Sequence, residues 1–168
     1  MDISVKSEIE YYNSLPCDFK DFMDLPELSD GNLTLVCIAK NPTEPEKKWV
    51  PSYRFDICIC GKRVGETDMR IGYTEGLYYG GQIGYGIDEE YRGNGYAVLA
   101  CKLLLPIAKF HKMSKLLITN DKDNIASQRV CEKLGAKFLR TAEVPDWHDL
   151  YVRGQLYSNI YEWEVSEV

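Results

Sequence analysis

The chain has 168 residues, 45% of them hydrophobic and 27% charged, a composition that suits one domain with a buried core and excludes a disordered or fibrous chain. The formal net charge of −6 argues against nucleic acid as the main partner, because phosphate backbones are bound by positive surfaces. No apolar run reaches the ~20 residues that span a bilayer, and the N-terminal MDISVKSEIEYYNS has no apolar h-region; no membrane, no signal peptide and a cytoplasmic location are expected.

The first apolar positions, in residues 5–28, are helix-like in spacing and interrupted by Pro16 and Pro26. Leu33–Ala39 reads as a strand, and Asn41–Lys48 as a polar loop. Tyr53–Cys60 alternates: Phe55, Ile57 and Ile59 point one way, Arg54, Asp56, Cys58 and Cys60 the other. A turn at Gly61-Lys62 returns the chain as the strand Arg63–Ile71. Residues 72–81 hold four glycines and read as a loop. Gln82–Ile87 is a glycine-containing strand. After Gly95 the pattern becomes a long helix with Ala97, Ala100, Cys101, Leu104 and Ala108 on one face, bent by Pro106. Leu116–Thr119 is a short buried strand. Asp123 or Asn124 caps a helix that runs to Leu134 and stops at Gly135. Lys137–Arg140 and Asn159–Val165 are the last strands, separated by an irregular stretch with Pro145, Trp147 and Gly154. The order predicts an α+β (mixed α/β) domain around one sheet, spanning 1–168.

Six cysteines raise the question of disulfides or a metal. They lie in strand-like and helix-like runs without a CxxC pair, and His111 and His148 have no matching ligand spacing. Cys58 and Cys60 are expected as core thiols, and no metal is expected.

YRGNGYA (91–97) stands between the strand 82–87 and the long helix. The first turn of a helix offers unpaired N–H groups and a partial positive charge. Gly93 and Gly95 let the backbone approach an anion, Arg92 adds a fixed charge, and Ala97 keeps the helix close. A Walker loop and a dinucleotide turn are excluded by pattern. Two readings stay open for this turn alone: a phosphate cradle or a tight strand-to-helix connection.

Arg92, Gly95 and Ala97 match the Q/R-x-x-G-x-G/A motif of the GCN5-related N-acetyltransferase (GNAT) superfamily. DNIASQRVCEKLGAKF (123–138) resembles the N-x-x-S-x-x-V-x-E-K-x-G-A/F segment of the same superfamily, in its ribosomal-protein-acetylating, RimJ/RimL-like branch. The resemblance implies one GNAT-like domain with a mostly antiparallel central sheet, flanked by helices, whose fourth strand (82–87) and fifth strand (116–119) splay apart. It implies acetyl-CoA as co-substrate. Tyr85, Gly86 and Ile87 would offer backbone groups to the pantetheine arm and the acetyl carbonyl. Gly93, Asn94, Gly95, Tyr96, Ala97 and Val98, with Arg92, would hold the pyrophosphate. Asn124 would bind the pantetheine arm, and Arg129 would reach the cofactor. The implied activity is acetyl transfer to a primary amine of a small molecule or a protein N-terminus, and a homodimer is left open.

The chain departs from that pattern at the catalytic positions. Where many relatives carry a tyrosine acid, seven residues after the asparagine, it has Cys131, a poor nucleophile beside Glu132. Ser127 is the replacement candidate; the alternative is a helix-surface hydroxyl. Where some relatives carry a strand glutamate, it has Gly81 next to Gln82. Glu66 is the nearest alternative base, or a solvated strand residue, and Tyr85 a proton relay through water. The acceptor site would draw on the N-terminal helices, residues 72–79 and residues 142–157, with His148 as a titrating helper and the tryptophans as packing residues. A non-catalytic acyl-CoA-binding or sensing module is the alternative function.

Overall fold

The computed structural model describes residues 2–165, so the expected range 1–168 extends past them at both ends. The chain forms two compact units from interleaved segments: residues 1–16, 73–82 and 114–168 make one, residues 17–72 and 83–113 the other.

The first unit holds α1 (Ile3–Asn13), α2 (Glu75–Gly80), β6 (Lys115–Asn120), α5 (Ile125–Leu134), β7 (Lys137–Glu143), α6 (Asp149–Val152) and β8 (Tyr157–Glu164). Asp2 caps α1, its carboxylate accepting from Ser4 N at 2.8 Å. Val5, Ile9 and Tyr12 recur at helical spacing and form the buried face. They pack with Tyr78 and Tyr79 of α2 against Leu117, Ala142 and Ile160 of the sheet β6-β8-β7, which is antiparallel throughout. Glu8 fastens α1 to β7 and α2, accepting from Arg140 at 2.9 and 3.0 Å and from the Tyr78 hydroxyl at 2.6 Å.

The second unit holds β1 (Leu28–Ser29), β2 (Leu33–Asn41), β3 (Ser52–Ile59), β4 (Lys62–Arg70), β5 (Ile83–Ile87), α3 (Tyr96–Leu103) and α4 (Leu105–Phe110). Its five strands are antiparallel neighbours in chain order. Tyr53, Phe55 and Ile57 are buried on one sheet face, with Thr67 and Met69. Helix α3 packs on β2 and β5 through Ala97, Ala100 and Cys101, which are buried as their spacing predicts. The mixed α+β class and the mostly antiparallel sheet agree with expectation. The expected fourth and fifth strands, β5 and β6, belong to different sheets.

Several boundaries differ. Residues 14–27 are not helical, because α1 ends at Asn13; Pro16 and Pro26 break the pattern. The expected loop 72–81 contains α2, where Thr74 accepts from Leu77 N at 3.1 Å. The long helix divides at Leu104, so Pro106 falls in the first turn of α4, where a missing N–H costs nothing. The hairpin turn is Cys60-Gly61, with φ of 50° and 77°, between the paired Ile59 and Lys62. That places Cys60 in solvent and Cys58 half-buried on the outer face, so neither is a core thiol. Trp163 is buried, but Trp49 and Trp147 are half exposed. Strand β7 runs on to Glu143, three residues beyond expectation. No helix among the described residues is long and apolar enough to cross a membrane.

Candidate functional site

The phosphate turn begins where β5 ends. Asp88 N donates to the Val64 carbonyl at 2.9 Å, which fixes the strand end, and a 3-10 turn follows at Glu89–Tyr91. Gly93 and Gly95 then take φ of 85° and 76°, the left-handed region that costs other residues about 1–2 kcal/mol. A Cβ added to either would meet nothing within 4 Å, so the glycines are required by the backbone and the space above them is open. The Asn94 amide donates to the Tyr91 carbonyl at 2.9 Å and holds the turn in shape. Gly95 is the N-cap of α3 and supplies no side-chain cap.

Consequently the backbone N–H groups of residues 93–98 find no hydrogen-bond acceptor among the described residues. Six consecutive donors at a helix start, those of residues 93–95 on exposed backbone, make an anion cradle. Arg92 Nε donates to the Ile87 carbonyl at 3.0 Å, tying the turn to the strand. Its guanidinium is exposed, and its other N–H groups remain available to an anion.

Strand β5 is the terminal strand of its sheet, with β4 on one side. Tyr85 pairs with the buried Thr67, and Gly86 with Glu66. Alternation therefore sets the Tyr85 side chain with Ile83 and Ile87 on the face that α3 covers, away from Gly84 and Gly86. Glu66 lies on the opposite face, half exposed, with Arg54 and Arg63 each 3.4 Å from its carboxylate.

In the other unit, Asn124 caps α5, its Oδ1 accepting from Ser127 N at 3.1 Å. Asn124 and Arg129 are exposed, whereas Ser127 is buried, so the surface-hydroxyl alternative fails. Cys131 is fully buried. Burial, and then the charge of Glu132, push its thiol up to about 12, and the Asn120 amide donates to its sulfur at 3.7 Å. It is inert at neutral pH.

Gly81 and Gln82 are structural. Gly81 has φ of 77°, and a Cβ there would sit 2.8 Å from the Leu117 carbonyl oxygen. Gln82 is buried, donating its N–H to the Leu117 carbonyl at 2.9 Å and accepting from Leu117 N at 2.6 Å. A carboxylate at 81 is therefore sterically barred. His148 is equally occupied: Nδ1 accepts from Leu150 N at 3.0 Å and Nε2 donates to the Gly76 carbonyl at 2.8 Å. It clips the 142–157 segment to α2 and has no free nitrogen for proton transfer.

Sequence reasoning passed over one pair. Asp68 and Arg70 lie on the same face of β4 as Glu66, 3.0 Å apart, and both are partly buried. The alternation Glu66, Asp68, Arg70 was the available signal. Their strand partner, Gly84, becomes visible only in the register.

A family model described as an acetyltransferase (GNAT) domain matches residues 37–137. Among solved structures, a putative ribosomal-protein-serine acetyltransferase from Vibrio cholerae superposes with a TM-score of 0.62 at 17% identity, over 86% of this chain and 99% of that one. RimL, a ribosomal L7/L12 alpha-N-protein acetyltransferase in complex with coenzyme A, gives 0.60 at 13% identity, over 83% and 98%. A probable acetyltransferase gives 0.53 at 22% identity, over 67% of this chain, which spans only 62% of that longer one. At such identities the likeness is one of fold. No curated protein matches the sequence significantly.

Proposed function

The chain belongs to the acetyltransferase (GNAT) family, and from that premise we propose that it transfers an acetyl group from acetyl-CoA directly to a primary amine, on a small molecule or a protein N-terminus. Membership makes it an acetyltransferase domain with acetyl-CoA as co-substrate. The matched segment, residues 37–137, runs through both compact units, which supports reading 1–168 as one catalytic domain.

The observation that carries the reading is the row of six unpartnered N–H groups at 93–98, shaped by Gly93 and Gly95. That cradle fits a pyrophosphate in both charge and room. Tyr85, Gly86 and Ile87, on a terminal strand, suit backbone pairing with an extended pantetheine arm. Asn124 keeps its amide N–H groups for the same arm, because only its Oδ1 is spent on the cap. The donor supplies a thioester already activated toward amines. The protein orients it and directs a backbone N–H at the carbonyl oxygen where charge gathers, and Ser127 is the candidate for protonating the departing sulfur. Glu66 and Tyr85, the proton carriers expected from the sequence, lie on opposite faces of the sheet, and Glu66 is held by Arg54 and Arg63. The acceptor class follows the RimL-like neighbours, one of which is named for the α-amine of a ribosomal protein.

Calorimetry tests the cradle. Acetyl-CoA binds the unaltered protein, and Gly95→Trp weakens binding at least a hundredfold while leaving the far-ultraviolet spectrum unchanged. Unchanged affinity in that variant removes the turn from the site. The competing reading is a non-catalytic acyl-CoA module, favoured by the capture of Glu66 between two arginines. Thiol release across a panel of small amines and N-terminal peptides decides: acetyl-CoA-dependent release rejects the module, and binding without release supports it.

A further inference from the structure

Strand β4 sends Thr67 and Met69 into the core and Glu66, Asp68 and Arg70 to the opposite face. The two carboxylates on that face have different surroundings. Glu66 is shared by Arg54 and Arg63 and is 52% exposed. Asp68 is 26% exposed and stands directly opposite Gly84 of β5. Its Oδ2 is held by Arg70 Nε at 3.0 Å. Its Oδ1 leans over β5: a Cβ built on Gly84 would lie 2.4 Å from Oδ1 and 2.9 Å from the Arg70 guanidinium. The carboxylate thus fills the space that a β5 side chain would take. At Gly86, the next residue on that face, a Cβ would meet nothing within 4 Å, so the surface beside Oδ1 is open.

We propose that Asp68 anchors the acceptor amine, its Oδ1 reaching across Gly84 to the residues 85–87 where the acetyl group is read to lie. This rests on the transferase reading given above and deepens it. The strand next to β5 supplies the carboxylate that β5 lacks, and glycine at 84 is what admits it. Arg70 Nε holds Oδ2 in place, and Oδ1, over Gly84, is the oxygen presented to an N–H of the amine. As the nitrogen bonds to the acetyl carbon, the carbon–sulfur bond breaks with its electron pair going to sulfur. The proton released from nitrogen passes to Oδ1 and on to water. The acceptor class is accordingly a primary amine, which donates a second N–H to the carboxylate while its lone pair attacks.

The test compares Asp68→Asn, Gly84→Ala and the double variant, with Asp56→Asn as a surface control, on the best amine of the panel. Asp68→Asn lowers kcat/KM for the amine at least thirtyfold and leaves the acetyl-CoA Kd within twofold. Gly84→Ala gives a comparable loss, because its methyl group displaces Oδ1. The double variant is no worse than either single one, a non-additivity that two separate structural defects would not produce. Should Asp68→Asn lose acetyl-CoA binding through misfolding, Gly84→Ala decides by the same criterion. A value within threefold of the unaltered protein in both single variants overturns the assignment, as does a larger loss in Glu66→Gln. Absence of turnover in the unaltered protein overturns the transferase reading and this assignment together, whereas unimpaired variants overturn this assignment alone.

Discussion

At the scale of the residue, burial decides which reactive-looking groups have chemistry. Cys131 is buried, and its thiol, pushed up to about 12 by burial and Glu132, is neither acid nor nucleophile at neutral pH. Cys37 and Cys60 are exposed, while Cys101 is buried like Cys131. Iodoacetamide at pH 7.5 should therefore alkylate Cys37 and Cys60 in the native protein and spare Cys101 and Cys131. Peptide mass spectrometry reads the order, and labelling of Cys131 as fast as Cys60 would contradict the burial account. The sign of the Glu132 effect was legible in the sequence, since the two residues are adjacent. The occupation of both His148 nitrogens was not, because one partner lies 72 residues away. Nor was the place of Asp68 over Gly84, which depends on strand register rather than on either residue.

At the scale of the element, the ends of α5 are fully determined by local chemistry. Asn124 satisfies the Ser127 N–H at the start. At the finish Gly135, with φ of 74°, lets its own N–H reach the Glu132 carbonyl and the Ala136 N–H reach the Cys131 carbonyl, each at 3.0 Å. Gly135→Ala should cost about 1 kcal/mol through left-handed backbone strain. That lowers Tm by about 2–4 °C in a domain of this size, with acetyl-CoA affinity unchanged. Equal melting of variant and parent would deny the strain. Such caps are written in one or two residue types, which is why the ends of this helix and the strand-to-helix connection at 91–97 are legible in the sequence. Helix α2 has only six residues, too few for apolar periodicity to register against four glycines. The division at Leu104 is not legible, because a proline inside a helical run marks a bend and a first-turn position alike.

At the scale of the whole molecule, each unit is assembled from segments far apart in the chain, and this is where local patterns carry least. His111 is the clearest instance. It is 0% exposed and holds the non-helical segment after Pro16 within its unit. Its Nδ1 donates to the Asp18 carbonyl at 2.9 Å, and its Nε2 accepts from the Tyr53 hydroxyl at 2.7 Å. That hydroxyl oxygen in turn accepts from Met23 N at 2.7 Å, and Phe19 stacks on the imidazole with ring centres 5.1 Å apart. A carbonyl only accepts, so Nδ1 carries the proton and Nε2 is left to the tyrosine: the ring is neutral. Burial is the main cause holding its pKa below the ordinary histidine value, against a weaker opposing pull from Asp18. The unfolded chain therefore binds the proton more readily than the folded one, and stability rises with pH. The contribution is complete above about pH 6.5, the unfolded value, and is lost as the pH falls from there through the lower folded value. Urea midpoints taken from pH 7.5 down to 5.5 should fall in the parent and fall less steeply in His111→Gln, which cannot titrate. Parallel slopes in the two proteins would show that the buried imidazole does not govern acid stability in this range.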